Sequence, residues 1–289
     1  MHNSSTATMD DPQLSQKKLT IAFIGSGNMA RSLILGLLND NSSPLEIRVS
    51  DPDPNQLTAM RQHWPEIKIS TSNDEVALGA DIVVLAVKPQ IMREVAQTLA
   101  ATCQTTRPLV VSVAAGIKID ALQQWLGGQL PIVRCMPNTP ALVQAGATGL
   151  YANELVNTTQ RNQAESILRS VGITLWFEQE QALDAVTATS GSGPAYFFLV
   201  MEAMQAAAQS LGLPAQEAHL LVVQTALGAA KLALESQESP AELRRKVTSK
   251  GGTTAAALEV LQGKQLETIF LEAMQAAAKR SETLAAENS

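Results

Sequence analysis

Short β-branched runs alternate with amphipathic stretches from Leu19 to about residue 178, and then the strand signal stops. "LTIAFIG", "LEIRVS", "EIKIST", "DIVVLAV", "PLVVSV" and "PIVRCM" read as strands with helical patterns between most of them, and "ITLWFE" is the last such run. Several are apolar on both faces, which places them in a parallel sheet covered by helices. The remainder reads as helix throughout: "AYFFLVMEAMQAAAQSL", "PAQEAHLLVVQTALGAAKLALES", "SPAELRRKV", "TTAAALEVLQ" and a last helix to the C-terminus. An α/β half followed by an all-α half is expected, divided as 19–178 and 179–289. The polar opening 1–18 lacks an apolar core and reads as a disordered lead-in, neither secretory signal nor transit peptide.

At 289 residues each half is long enough to bury its own core. A formal net charge of −6 argues against a nucleic-acid surface, which needs a basic face. The longest apolar stretch, "LLVVQTALGAAKLALE", is interrupted by Gln224 and Lys231, so no membrane span is expected. Cys103 and Cys135 lack metal-ligand spacing and read as buried thiols in a reducing cytoplasm, and no metal site is expected. "EAMQAAA" occurs at 202–208 and 272–278 without a fixed period around it, which helix-forming composition explains.

The first motif with chemical content is "IAFIGSGNMARSLILGLL". Gly25, Gly27 and Ala30 form Gly-x-Gly-x-x-Ala between a strand and a helix, the context of a dinucleotide fingerprint. Gly25 permits the tight turn and Gly27 the approach of a pyrophosphate, while Ala30 lets helix and strand pack closely; amides at the helix start hold the negative charge. A doubly wound Rossmann sheet is therefore expected. Asp51, after the second strand, stands where such folds place an acid on the adenosine ribose, which would favour NADH over NADPH. Its spacing is long, Arg48 is near, and a solvated turn aspartate before proline is an equal reading. The loops "AVKPQ", "SVAAG" and "RCMPNTP" each follow a strand, at the edge where ligands bind in such sheets. Singly, their prolines have ordinary readings as helix starts or strand breakers.

"GSGNMA", "AVKP", "MPNTP", "GSGPAY" and "GGTT", in that order, resemble the pyrroline-5-carboxylate reductase family from about Leu19 to the last helix. The resemblance implies a Rossmann domain followed by a helical dimerisation domain, a dimer with rings of dimers as the larger assembly, and reduction of the cyclic imine 1-pyrroline-5-carboxylate to L-proline by NADPH or NADH. It implies that Gly25, Ser26, Gly27, Asn28 and Met29 line the cofactor phosphates. Asp51 and Asn73 would then lie near the adenosine, Val87, Lys88 and Pro89 along the dinucleotide, and Ala114, Ala115 and Gly116 by the nicotinamide. Gly251, Gly252, Thr253 and Thr254 match the substrate loop, where backbone amides take the carboxylate and the Thr254 hydroxyl faces the ring nitrogen. Glu180 and Ser192 look like supporting residues of that pocket. This chain departs from the family's usual proline at Lys250.

The chemistry suits those residues. A cyclic imine has a basic nitrogen and can arrive already protonated, in which case reduction neutralises an existing charge and asks little of an acid. His2, His63 and His219 fall outside every motif. Two rivals carry other predictions: a β-hydroxyacid dehydrogenase, which needs a lysine on the first long helix of the second half where "GSGPAYFFLVMEAM" has none, and a catalytically silent dinucleotide-binding dimer.

Overall fold

The computed structural model describes residues 18–39 and 45–288; apart from Lys18, the expected lead-in lies outside the described residues. Eight strands form one sheet: β1 (Leu19–Ile24), β2 (Leu45–Ser50), β3 (Lys68–Ser70), β4 (Ile82–Leu85), β5 (Leu109–Ser112), β6 (Ile132–Met136), β7 (Gly146–Ala152) and β8 (Gly172–Trp176). Their order is β3-β2-β1-β4-β5-β6-β7-β8. Every pairing is parallel except β6 with β7. The order reverses beside β1, so β1 and β4 flank the crevice where a doubly wound sheet takes its ligand.

Strand period sorts the apolar side chains into two cores, one on each face. Ile21 and Phe23 of β1 pack with Leu33 and Ile34 of α1 (Asn28–Asn39) and with Ile167 and Leu168 of α6 (Thr158–Arg169). Ala22 and Ile24 face the other way, with Met92 and Leu99 of α4 (Pro89–Thr106) and Leu122 of α5 (Ile119–Trp125). Both β4 and β5 are wholly buried, as continuous apolar runs between two helical layers must be. Two shorter helices, α2 (Pro54–His63) and α3 (Asn73–Ala77), complete the crossovers; Asp53 caps the first and Ser72 the second.

No strand was expected between Met136 and "ITLWFE", and β7 corrects that reading. "GATGLYA" has two glycines and no β-branched run, so its own pattern carries little strand signal. Tertiary packing overrides the propensity. A β-carbon on Gly149 would stand 2.9 Å from Val186 at the end of α7 (Ala182–Val186), and one on Gly146 would stand 2.9 Å from the Val171 carbonyl. The glycines therefore let α7 and the chain before β8 close onto β7.

After α7 a π-helical turn, Thr187–Gly191, leads into α8 (Gly193–Ser210), α9 (Ala215–Glu235), α10 (Pro240–Lys246), α11 (Thr253–Gly263) and α12 (Leu266–Glu287). The helical elements agree with the sequence reading. Ser239 and Glu242 form a reciprocal capping box that starts α10. This layer buries little of itself: Phe197, Phe198, Leu227 and Leu234 are 60–81% exposed, and neither α10 nor α11 has a buried residue. Such a face needs a covering partner.

Candidate active site

The carboxyl ends of β2, β1, β4 and β5 stand side by side, so the sheet brings together the residues expected to hold a dinucleotide. Gly25 has φ +98, and a β-carbon there would lie 2.8 Å from the Ala86 carbonyl oxygen and 3.0 Å from Val87. Only glycine fits that turn. At Gly27 no atom lies within 4 Å of the β-carbon position, which leaves an open cradle above the first turn of α1. The first backbone bond of that helix runs from the Arg31 amide to the Gly27 carbonyl, and the Asn28 and Met29 amides find no acceptor among the described residues. A helix start with free amides beside an unfilled glycine turn fits a pyrophosphate.

Asp51 is engaged more fully than a solvated turn residue would be. Its Oδ2 accepts from the Ser26 amide at 3.0 Å and the Ser26 hydroxyl at 2.7 Å, and its Oδ1 from the Asp53 amide at 3.0 Å. The carboxylate thus ties the end of β2 to the glycine turn. Asn73 starts α3 and accepts from the Ser50 hydroxyl at 2.7 Å. Lys88 is the exposed cap of α4, with Pro89 in its first turn. Ala114 and Gly116 are buried, Ala115 half-buried, and Gly116 takes φ +70.

In the helical half, Gly251 takes φ +70 and Gly252 caps α11 from extended backbone. No side chain caps this helix, and its first engaged amide is that of Ala256, on the Gly252 carbonyl. The Thr253 and Thr254 amides are therefore free to take an anion. Thr253 is exposed and Thr254 half-buried. No hydrogen bond or ion pair among the described residues joins the 247–263 segment to the sheet; its bonds are local, and α11 packs on α12.

Glu180 and Ser192 are not joined to that loop. Glu180 Oε1 accepts from Arg134 Nη1 and from the Ile119 amide, each at 2.9 Å, so it pins the end of β6 to the start of α5. Ser192 joins the π-helical turn to α8: its amide donates to the Thr187 carbonyl at 2.8 Å and its carbonyl accepts from the Ala195 amide at 3.0 Å. Sequence reasoning missed three residues here. Arg134, only 3% exposed, is the buried partner of Glu180. Asn138 of "MPNTP" donates from Nδ2 to the Ser190 carbonyl at 3.1 Å and accepts from the Ala147 amide at 2.9 Å, which ties the loop after β6 to the π-helical turn. Arg31 donates from Nε to the Ser26 carbonyl at 2.9 Å and also binds Gln56. Arg134 in an apolar strand and Asn138 between two prolines were the available signals.

Burial raises the Cys103 thiol to about 11, with Asp74 adding a smaller push, and burial also raises Cys135. Neither is a thiolate at neutral pH. No group of three or more metal-ligating side chains gathers among the described residues.

Residues 180–284 match the pyrroline-5-carboxylate reductase dimerisation family, and residues 20–116 match the coenzyme F420-dependent NADP oxidoreductase family. The pyrroline-5-carboxylate reductase of Pseudomonas aeruginosa is 51% identical over 92% of this chain and 96% of its own length. The chain belongs to the pyrroline-5-carboxylate reductase family. Its relative of that name from Escherichia coli is 38% identical over 91% of this chain and 97% of its own. Among solved structures, the family's member from Coxiella burnetii aligns with a TM-score of 0.87 at 45% identity, covering 92% of this chain and 98% of the other. The Plasmodium falciparum pyrroline carboxylate reductase with NADP bound aligns at 0.81 and 30% identity, covering 92% and 98%. Membership makes the helical half of this chain a dimerisation domain.

Proposed function

We propose that this chain reduces 1-pyrroline-5-carboxylate to L-proline with NADPH or NADH. The observation that carries the reading is the start of α11: free amides at Thr253 and Thr254 behind a left-handed Gly251, with a half-buried hydroxyl and no histidine, carboxylate or cysteine between Thr248 and Ala257. Those amides take the carboxylate of the imino acid. The Thr254 hydroxyl holds the ring nitrogen and fixes the ring's orientation. The proton on that nitrogen comes with the substrate, so Thr254 orients it and is not required to supply it. When bound, the dinucleotide supplies the hydride that reduces the imine carbon. Gly25, Gly27 and the α1 amides hold its phosphates, while Ser26, Asp51 and Asn73 shape the adenosine end; Val87, Lys88 and Pro89 flank it, and Ala114 to Gly116 back the nicotinamide.

Among the described residues no bond joins the loop to its own sheet, and the faces of α8, α9 and α11 are open. The site is therefore completed in the dimer, as a second copy covers those faces. The reading further includes rings of dimers, a cytoplasmic location, no nucleic-acid or membrane partner, and division of labour between a dinucleotide half (19–178) and a helical half (179–289). Among the described residues no helix is long and apolar enough to cross a membrane. The test is oxidation of NADH and of NADPH, followed by absorbance, with pyrroline-5-carboxylate added to purified protein. Substrate-dependent oxidation with stoichiometric proline is expected; dinucleotide binding without turnover would replace the enzyme by a silent binding dimer.

A further inference from the structure

We propose that α12 is a strut that braces the Ala114–Gly116 turn, with Ser281 and Ala285 as its positioning residues. The inference rests on the reading of that turn as the nicotinamide side of the site. Twenty-two residues make α12 one unbroken helix of about 33 Å. Its first half packs on α11, the helix that the substrate loop opens, and Phe270 meets Tyr196 of α8 edge to face at 6.5 Å. Its second half leaves the open helical layer and packs on α7 and the π-helical turn.

Two contacts fix that far end. Ser281 Oγ donates to Asp184 Oδ1 of α7 at 2.7 Å, with both residues buried. Gly116 abuts the last turns of the helix: a β-carbon there would stand 3.2 Å from Leu284 Cβ and 3.7 Å from the Ala285 amide nitrogen. Ala285 is 1% exposed. The helix backbone itself thus touches the turn, with no long side chain between to absorb a shift. Close-packed interiors transmit such displacements, and a misplacement of about 1 Å at a reacting centre costs on the order of a hundredfold in rate. Ser281 and Ala285 are the only buried residues of α12, and both lie at this junction. The helix is anchored where the cofactor turn is, and elsewhere it is open.

The experiment compares Ser281→Ala, Ser281→Thr and Ala285→Val with the parent in the full-length assembled protein. Four readouts are taken: kcat and KM, NADH affinity by fluorescence titration, the isotope effect from 4-deuterated dinucleotide, and amide hydrogen exchange in residues 113–117. Ser281→Ala should lower kcat about ten- to a hundredfold, increase the isotope effect and speed exchange in that turn. NADH affinity should stay within about twofold, because the phosphates bind at Gly25 and Gly27. Ser281→Thr keeps the hydroxyl and should restore kcat, and Ala285→Val should reproduce the loss by crowding. A kcat per folded protein equal to the parent's in both Ser281→Ala and Ala285→Val, with unchanged exchange at 113–117, would overturn the strut. Thr254→Ala run alongside separates the failures. If it impairs turnover while the α12 variants are silent, only the strut falls; if the parent does not turn over the imine, the functional reading falls and takes the strut with it.

Discussion

The roles proposed for Thr254 and Asp51 can each be isolated by a single substitution. If Thr254 orients the imine through one hydrogen bond, Thr254→Ala should cost about 1 to 3 kcal/mol, or roughly ten- to a hundredfold in kcat/KM. Steady-state kinetics should show the KM for the dinucleotide near the parent value, since the proposed phosphate site lies in the other half. A required proton donor would cost up to about 10⁴-fold, with the basic limb of the pH profile lost in the variant alone. Asp51 is less simple than a repelling charge. Removing the carboxylate relieves its repulsion of a 2′-phosphate, and so Asp51→Ser should lower the KM for NADPH. The same change strips the acceptor from the Ser26 amide and hydroxyl that shape the glycine turn. The KM for NADH should therefore rise by a few fold, which the loss of an aspartate facing only water would not cause. Titrating both nucleotides against both proteins checks the two effects together.

Among the elements, the junction of α6 with β8 is held by one carboxylate. Glu165 accepts from Trp176 Nε1 at 3.0 Å and from the Thr174 hydroxyl at 3.2 Å, and its own helix adds Arg169 at 2.9 Å. Trp176 also carries the Arg161 guanidinium 4.0 Å above its ring. The hydrogen bond from Trp176, foremost among these, holds the Glu165 carboxyl below the ordinary range. A depressed folded-state value means the stabilisation is present above the unfolded-state value of about 4.3 and is lost as pH falls through the lower folded value. Glu165→Ala should thus lower stability by about 1 kcal/mol at neutral pH, and the gap to the parent should close under acid in urea unfolding. The buried thiols make a second check on this half. Cys103 packs in α4 and Cys135 in β6, both with raised pKa. A thiol reagent at pH 8 should label neither in the folded protein and both on unfolding.

For the whole molecule, the governing fact is a helical half that cannot bury itself. Leu220, Leu227 and Leu234 of α9 recur every seven residues and are 59%, 60% and 81% exposed. They form a stripe along one side of a helix that already packs on α8. Burying each against a second copy stabilises the dimer by about 1.5 to 3 kcal/mol, and a charge there would oppose it. Leu227→Glu should shift the assembly toward monomer by light scattering and lower the activity with it. A stable, active monomer of the parent at dilute concentration would defeat both the dimer and the completion of the site between copies.

The amino-acid sequence by itself determined the glycine turn at Gly25 and most of the strand and helix pattern, because each is written in local chemistry: β-branched runs, helical periodicity, and a turn that only glycine can make. The helices 193–287 were legible for the same reason. Tertiary structure alone decided β7, whose glycine-rich segment becomes a strand only because β6 and β8 supply its hydrogen bonds and α7 packs where a side chain would stand. It alone decided the partners of Glu180: sequence placed it by analogy in the substrate pocket, and the fold brings it 46 residues back along the chain to Arg134. Asp51 and Ser26, 25 residues apart, and Asp184 and Ser281, 97 apart, likewise meet only when the chain has closed. Pattern and propensity report on neighbours within a few residues, whereas a buried charge or hydroxyl is matched by whatever donor or acceptor the packing delivers.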